Sequence, residues 1–375
     1  MGKWENSVRR IVEYYDNQHG KMTLGCDGFI DDVKHVIKEW VSPDEYRPYE
    51  KVEDYARAIL ARGAGGMSFG LAQKRRTYGG FSCNTGKAAG RLGGNLTLLG
   101  MFGIEEIDPV FSEFMENYNT ISVGDPAVSM IYEFTDGKIF YGGTSPRKPT
   151  QRTWEQLVGA MGLDGLRSAF ADADVVGFGY YGNKVYFDDI IKNLYENFLI
   201  DGRCTRLFFD FGNIQHSSKE QLISTFELLT PYNIKVPITL SLNEHEGKVL
   251  FSFYGRDFTW DTPLPGVEED IAYVREQVNW DEIIIHTPFF AVGASASEGT
   301  ALVKQRRAAE TVITTGAGDN FNGGYLSTHV QKGKLNLEER LFVANAVTGA
   351  YVRSGLSPDK TALEIEMNKL MKVVD

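Results

Sequence analysis

An aspartate follows a glycine-rich turn near the end of the chain. Gly316, Ala317 and Gly318 precede Asp319, and the small residues after it are typical of a helix start. Backbone amides in such a turn are unobstructed, and at a helix N-terminus they attract anions such as phosphate. A carboxylate there makes chemical sense if it removes a proton from a hydroxyl group while the amides hold the phosphoryl group under attack. The alternative is that Asp319 only caps the helix.

A second group of residues favours the chemical interpretation. Gly79 and Gly80 allow a ligand to approach the backbone closely, and the amide of Asn84 offers both a donor and acceptors. Asp27 and Asp31 accompany an early strand pattern. Because ligands in open α/β sheets bind at the carboxyl ends of the strands, both aspartates are candidates for binding substrate hydroxyl groups. Turn capping is the alternative for each of them.

Alternating apolar runs and amphipathic stretches predict the elements that position these residues. From about residue 94 onward the pattern is typical of βαβ units and a mostly parallel sheet. A leading helix is expected over 6–18. A hairpin joined through Asp136-Gly137 is expected over 128–134 and 139–141, and it suits a small lid over the open edge of the sheet. A first strand that runs into a glycine turn is predicted over 23–31. Buried strands are predicted at 175–179, 207–211, 238–242 and 283–285.

The bulk composition narrows the class of protein. The 375 residues carry a net charge of −11, which argues against a nucleic-acid partner, and 42% hydrophobic with 24% charged residues is ordinary for a globular protein. No segment approaches the roughly 18 apolar residues that cross a membrane, and the three cysteines follow no metal-ligand spacing. We expect a cytoplasmic protein with reduced thiols, no membrane partner and one domain over 1–375, with lid elements within about 32–80 and 120–147.

The two glycine-rich groups, in this order, resemble the signatures of the PfkB or ribokinase-like carbohydrate kinase family. The C-terminal signature lies at 313–319 and is followed by Gly323-Gly324, and the N-terminal signature runs from Gly79 to Gly103. The resemblance extends from about residue 23 to about residue 357. It implies a three-layer α/β/α sandwich with a mostly parallel central sheet and a small β lid. It also implies ATP-dependent phosphorylation of a hydroxyl group on a sugar or sugar-like alcohol.

The resemblance also assigns roles to individual residues. It implies that Asp319 is the catalytic base, that Gly316, Ala317 and Gly318 supply an anion hole, and that the early aspartate and the glycine pair bind the acceptor. We favour Asp31 over Asp27 for that aspartate, together with Gly79, Gly80 and Asn84. Nucleotide and Mg²⁺ contacts fall on the N-x-x-E element, with Asn243 and Glu246 acting through water, and on Thr315 and Asn345. A monovalent cation fits the same pattern.

The sequence departs from the family pattern at two places. Ile313 stands where an acid usually opens the C-terminal signature, and His286-Thr287-Pro288 stands where a Thr-x-Gly turn is common. The second departure leaves ADP open as the donor. His286 is either a nucleotide contact or a strand-end histidine that the backbone satisfies.

Three other functions stay open at this point. A nucleoside kinase would need an aromatic shelf in the lid, for which Tyr132, Phe134 and Phe140 are candidates. A phosphosugar acceptor would need extra cations, and a catalytically silent sugar-binding sensor would keep only the binding site. We also expect a homodimer formed through the lid. The candidate cations are Arg75, Arg76, Arg147 and Lys148.

Overall fold

A computed structural model describes residues 3–17, 20–63, 65–142, 153–179, 187–212, 214–307, 310–331 and 334–374. In chain order, the strands are β1 Lys21–Gly25, β2 Phe29–Ser42, β3 Glu45–Pro48, β4 Gly70–Gly79, β5 Asn95–Gly100, β6 Asn119–Ser122, β7 Ala127–Glu133, β8 Lys138–Tyr141, β9 Val175–Gly179, β10 Arg206–Asp210, β11 Ile238–Asn243, β12 Glu282–His286, β13 Phe290–Ser295 and β14 Gly299–Lys304.

The helices alternate with these strands over most of the chain. They are α1 Lys3–Asp16, α2 Val52–Ala61, α3 Phe81–Arg91, α4 Ser112–Asn117, α5 Trp154–Phe170, α6 Phe187–Leu194, α7 Lys219–Asn233, α8 Glu244–Phe253, α9 Val267–Val278, α10 Ala317–Ser327, α11 Leu337–Ser354 and α12 Lys360–Val374. The expected leading helix is present as α1.

Within the described residues, the central sheet has the order β14-β13-β12-β11-β10-β9-β1-β5-β6. The strands from β12 to β6 pair in parallel, while β13 and β14 pair antiparallel at one edge. The apolar runs of β9 to β12 are buried, as continuous apolar strands between two helical layers must be. This arrangement confirms the mostly parallel sheet predicted from the sequence.

Two buried clusters lie on the two faces of the sheet. One packs helices α5 to α9 against one face, and the other packs α1, α3, α4, α10, α11 and α12 against the other face. The result is the expected three-layer α/β/α sandwich. Parallel strands place their carboxyl ends at a common edge, so the loops after β1, β10, β11 and β12 all open there.

A second, smaller sheet forms the lid. Its strands have the order β3-β2-β7-β8, and β4 pairs with β2 on the other side. The hairpin β7–β8 has the predicted antiparallel pairing. The expected first strand and glycine turn over 23–31 are present as β1 and the turn around Gly28, where an added Cβ would lie 2.3 Å from the Met101 carbonyl oxygen, and the chain then enters β2. Asp31 therefore lies on the lid strand β2, while Asp27 follows β1.

Helix α2 covers one face of the lid sheet and forms a separate small core with it. Tyr55 of α2 stacks on Phe134, which follows β7, at 5.6 Å between ring centroids, and it meets Tyr132 edge-on at 6.2 Å. Val36 is fully buried in the same cluster. Among the described residues, no helix is long and apolar enough to cross a membrane.

Candidate active site

The turn before α10 has the geometry that the glycines predicted. Gly316 adopts φ +81°, a left-handed conformation that favours glycine, and it precedes the first turn of the helix. Gly318 packs against His286, since an added Cβ would lie 3.0 Å from the His286 Cε1 atom. The Ala317 amide donates to the Thr314 carbonyl oxygen at 3.1 Å. An anion at this helix start would meet the other N–H groups of the first turn and the helix dipole.

Asp319 lies in the first turn of α10 and is held in place by α3. The Asn84 Nδ2 group donates to Asp319 Oδ2 at 3.0 Å, and the Thr85 hydroxyl donates to the Asp319 carbonyl oxygen at 3.1 Å. Burial raises the pKa of Asp319 to about 7, and the nearby charges of Asp27 and Asp31 act in the same direction, against the hydrogen bond from Asn84. A carboxylate with this pKa is suited to accept a proton near neutral pH.

Asp31 faces the same region from the lid. Its carboxylate lies against Gly79, where an added Cβ would stand 3.1 Å from Asp31 Oδ2. Burial raises the pKa of Asp31, although the positive charges of Arg75 and Lys138 oppose the shift. The structure thus brings Asp31, Gly79, Asn84 and Asp319 together, as the sequence analysis required of an acceptor site.

Asp27 has a different environment from the one expected of a substrate ligand. It is fully buried, and its carboxylate accepts hydrogen bonds from the Phe81 amide at 2.7 Å and from the Ser82 amide at 2.8 Å. The Ser82 hydroxyl donates to the same carboxylate at 2.5 Å. Gly80 packs directly against it, since an added Cβ would lie 2.8 Å from Asp27 Oδ2. Asp27 and Gly80 therefore anchor the start of α3, which carries Asn84.

A cavity of about 680 Å³ adjoins the glycine turn. It is large enough for a nucleotide-sized ligand. Residues 316–319 line one end, and the remaining wall includes three of the residues that the resemblance assigned to nucleotide or Mg²⁺ contacts, Asn243, Glu246 and Asn345. Thr315 is exposed beside the turn, and its carbonyl oxygen accepts a hydrogen bond from the Tyr351 hydroxyl at 2.8 Å.

The N-x-x-E element also begins a helix. Asn243 Oδ1 accepts from the Glu246 amide at 3.0 Å, and Glu246 Oε2 accepts from the Asn243 amide at 3.0 Å, which is a reciprocal capping box at the start of α8. Asn345 is buried, and its side-chain amide donates to the Val303 carbonyl oxygen at 3.0 Å. These contacts fix Asn243, Glu246 and Asn345 at the cavity wall.

Asp210 is a cavity residue that the sequence analysis did not select. It ends β10, and its carboxylate accepts from Asn322 Nδ2 at 2.7 Å and from the Gly212 amide at 3.1 Å. Burial, with the negative charges of Glu246 and Asp319, raises the pKa of Asp210 well above its usual range. The sequence signal that could have identified Asp210 was its position as an acid near the carboxyl end of a predicted buried strand. Among the described residues, no three His, Cys, Asp or Glu side chains converge as a metal site.

The structure places His286 at the cavity and also packs its ring against the protein. It lines the cavity at the end of β12, and its ring packs on Phe321 at 4.7 Å between centroids. Burial lowers the pKa of His286 to about 4, so the ring is neutral at physiological pH. At the other departure, the Ile313 amide donates to the Val352 carbonyl oxygen at 3.4 Å, which ties the approach to the glycine turn to α11.

The lid side chains that were candidates for binding a nucleoside or a phosphosugar have different environments. Tyr132 and Phe134 pack in the lid core against α2, so they do not form an aromatic shelf over the site, while Phe140 is exposed. Arg76 forms a bidentate ion pair with Asp108 at 2.7 Å. Arg147 and Lys148 lie outside the described residues.

Comparison with known structures confirms the fold. Escherichia coli phosphofructokinase-2, in a complex with fructose-6-phosphate, superposes with a TM-score of 0.62 at 14% identity, covering 94% of this chain and 100% of that one. A nucleoside kinase of the ribokinase family from Methanocaldococcus jannaschii gives 0.58 at 16% identity, again covering 94% and 100%. These comparisons show that the chain has the fold of the ribokinase-like kinases.

Sequence comparison identifies the family within this fold. A family model for prokaryotic ketohexokinase matches residues 5–370. A ketohexokinase from Haloferax volcanii is 26% identical over 351 residues, which cover 90% of this chain and 88% of the relative. The chain belongs to the prokaryotic ketohexokinase family.

Proposed function

We propose that the protein transfers the γ-phosphoryl group of ATP to a hydroxyl group of a ketohexose. The observation that carries the proposal is the position of Asp319. Its carboxylate stands between a nucleotide-sized cavity and Asp31 on the lid, and its pKa of about 7 suits a general base. The name of the family and of the Haloferax relative supplies the sugar class.

In this reaction, Asp31 and the backbone at Gly79 hold the sugar, and Asn84 orients Asp319 through the 3.0 Å hydrogen bond. The attacking hydroxyl oxygen forms a bond to the γ-phosphorus as the bond from that phosphorus to the β–γ bridging oxygen breaks. Asp319 accepts the hydroxyl proton, and ADP leaves with the electron pair of the broken bond. The amides of Gly316 and Gly318 hold the phosphoryl oxygens, since charge that moves onto these oxygens is best stabilised by fixed donors.

Mg²⁺ fits the acidic wall of the cavity. Asp210 carries a strongly raised pKa because it is buried near Glu246 and Asp319, and a cation beside the phosphates would relieve this repulsion. Mg²⁺ needs only one or two carboxylates when water and phosphate oxygens complete its shell. We therefore assign Asp210 and Glu246 to Mg²⁺, with Glu246 acting through water. The cation would neutralise charge on the phosphates.

The nucleotide binds in the cavity that adjoins the glycine turn. Asn243 and Glu246 lie near its phosphate end, and Asn345 with Thr348 of α11 lies at the end that would receive the base. Thr315 lies beside the phosphate end. A monovalent cation near the turn is a further part of the proposal, since a phosphofructokinase-2 neighbour has been solved in a complex with potassium.

The test is ADP production from ATP and Mg²⁺ across ketohexoses, aldohexoses, sugar phosphates and nucleosides, with ADP also tried as the donor. Preferred turnover of a ketohexose, absent in Asp319→Asn, is the expected result. Preference for a nucleoside would replace the proposal with a nucleoside kinase. Sugar binding without turnover on any acceptor would identify a sensor.

We also propose that two copies pair through their lids in the cytoplasm. Trp40 and Val41 of β2 and Leu71 of β4 are 61%, 47% and 38% exposed on the lid. Exposed apolar strand residues of this kind favour pairing with another surface. Light scattering after size exclusion should give the mass of a dimer for the native chain and of a monomer for Trp40→Lys. A monomeric native chain would refute the pairing.

A further inference from the structure

Three cations of the lid converge on one carboxylate. Glu133 at the end of β7 accepts a close contact from Lys74, and it lies 3.3 Å from Arg75 Nη2 and 3.2 Å from Lys138 Nζ. Although burial raises the pKa of Glu133, the hydrogen bonds from Lys74 and Lys138 dominate and lower it to about 2. Asp31 also lies close enough to Arg75 and Lys138 to feel their charges, so two carboxylates face three cations and the cluster keeps a surplus of positive charge.

Strand register places this surplus on the face of the lid that carries Asp31. Asp31 pairs with Ser129 in β7, and Glu133 pairs with Lys138 in β8. Side chains alternate along a strand, so Asp31, Ser129, Glu133 and Lys138 share one face. Tyr132 belongs to the opposite face, which packs on α2. The cluster is therefore separate from the lid core.

Lys138 connects this face to the glycine turn. Its ammonium group donates to the Thr315 hydroxyl at 3.4 Å, and Thr315 immediately precedes Gly316. The same ammonium group is close enough to Asp31 to oppose the rise in its pKa. Lys138 thus stands beside the gap between the anion-binding turn and the acceptor aspartate, which a phosphoryl group must cross.

We propose that Lys138, positioned by Glu133, binds the γ-phosphoryl group as it passes from nucleotide to sugar. The inference rests on the proposed kinase function and adds a catalytic residue to it. A cation fixed beside the transferring group stabilises charge there without reorganisation during the reaction. Because the cation comes from the lid, it acts only when the lid lies over the site, which links closure to chemistry.

The first experiment compares Lys138→Met with a matched control, Lys34→Met. Lys34 also lies on the lid and is ion-paired with Asp32 at 3.1 Å, but it pairs with Tyr132 in β7 and so lies on the other face. We expect Lys138→Met to lower kcat by about 10²–10³-fold, comparable with the loss of one fixed electrostatic donor, with the ketohexose KM changed less than threefold. Lys34→Met should keep kcat within twofold.

Two further variants separate contact from support. Lys138→Arg keeps the positive charge and should retain more activity than Lys138→Met. Glu133→Gln keeps the shape of the side chain but holds the Lys138 ammonium group less firmly. The value of kcat should therefore fall by about tenfold, with little change in the melting temperature. Equal loss in Lys138→Arg and Lys138→Met, with both unfolded at assay temperature, would assign Lys138 to lid structure and overturn the inference.

A second readout does not depend on any sugar. Calorimetry of an ATP analogue with a nonhydrolysable β–γ bridge and of ADP, both with Mg²⁺, measures the contribution of the γ-phosphate. Lys138→Met should weaken binding of the analogue about tenfold and leave the affinity for ADP unchanged. The role of Lys138 is overturned if Lys138→Met leaves the ratio of the affinities for the analogue and for ADP unchanged, or if its kcat is within twofold of the native enzyme. A native chain that shows the Lys138-dependent ratio but phosphorylates no ketohexose overturns only the proposed sugar.

Discussion

Replacing Asp319 with asparagine is the sharpest perturbation of the proposed mechanism. The asparagine side chain has nearly the same shape, and its carbonyl oxygen can still accept from Asn84 Nδ2, which lies 3.0 Å from the native carboxylate. The change removes the basic oxygen and little else. Loss of a general base costs about 10²–10⁴-fold in rate, which is about 3–5 kcal/mol of transition-state stabilisation. We expect the KM values for ATP and ketohexose to change less than fivefold.

The same substitution should stabilise the fold. The pKa of Asp319 is about 7 in the folded protein, against about 3.9 in an unfolded chain. Between these values the folded state holds a proton that the unfolded state has lost, so native stability falls as pH rises from about 4 to 7. Three units correspond to about 4 kcal/mol. Because the carboxylate opens onto a cavity, we expect about half of this, ~2 kcal/mol, to be regained by asparagine at pH 8.

The assay measures kcat/KM for the ketohexose from pH 5.5 to 9, with urea unfolding at pH 5 and pH 8. The native enzyme should gain activity as pH rises through about 7, because only the deprotonated carboxylate accepts a proton. The stability gain of Asp319→Asn should shrink at pH 5. Asp257→Asn, an exposed acid away from the site, serves as the matched control.

Near-native turnover by Asp319→Asn would refute the reasoning, provided that mass spectrometry excludes deamidation back to aspartate. A native profile with no rise between pH 6 and 8 would also contradict a base with a pKa near 7. Loss of activity together with loss of folded protein would show that Asp319 serves the structure of α10 instead.

Three other substitutions test the division of roles on the acceptor side. Asp31→Ala should raise the ketohexose KM by about 10–100-fold while the ATP KM stays unchanged, since about 1.5–3 kcal/mol is lost with a charged hydrogen-bond acceptor; an unchanged sugar KM would move the role elsewhere. Gly79→Ala places a Cβ 3.1 Å from Asp31 Oδ2, so the sugar KM should rise severalfold with the melting temperature nearly constant, and a native KM would show that Asp31 has room to move. Asp27→Asn sets an amide donor against the Phe81 or Ser82 amides, so urea unfolding should report a loss of about 2–4 kcal/mol while the folded fraction keeps kcat within a few-fold; a raised sugar KM in that fraction would return Asp27 to the substrate site.

Local sequence patterns predicted most of the fold. Apolar runs bounded by polar or glycine residues located the buried strands, and alternation with an Asp-Gly turn located the hairpin β7–β8. The glycine-rich turn before a helix was also predicted, although α10 begins at Ala317, three residues before the expected start at Asn320. These features depend on neighbours within a few residues, which is why they can be read without a structure.

The candidate site was only partly accessible to the same reasoning. Asp319 and Asn84 were selected separately, and their hydrogen bond joins positions 235 apart in sequence. Asp210 was missed because its raised pKa arises from burial beside Glu246 and Asp319, which no local pattern encodes. Tyr132 and Phe134 were considered for a substrate shelf, but α2 covers their face. Which face of a lid strand is covered depends on an element packed from elsewhere in the chain.

By itself, the sequence determined the mostly parallel sheet, the glycine turn and the identity of the proposed base, because strand patterns, glycine conformation and helix-start chemistry are local properties. Only the tertiary structure decided which early aspartate faces the site. The Asp27 carboxylate accepts hydrogen bonds from amides at the start of α3, whereas Asp31 lies on the lid beside Gly79. It also decided that Lys138 meets Thr315. These outcomes follow from long-range packing, which sets burial, charge proximity and hence chemistry for side chains that look alike in the sequence.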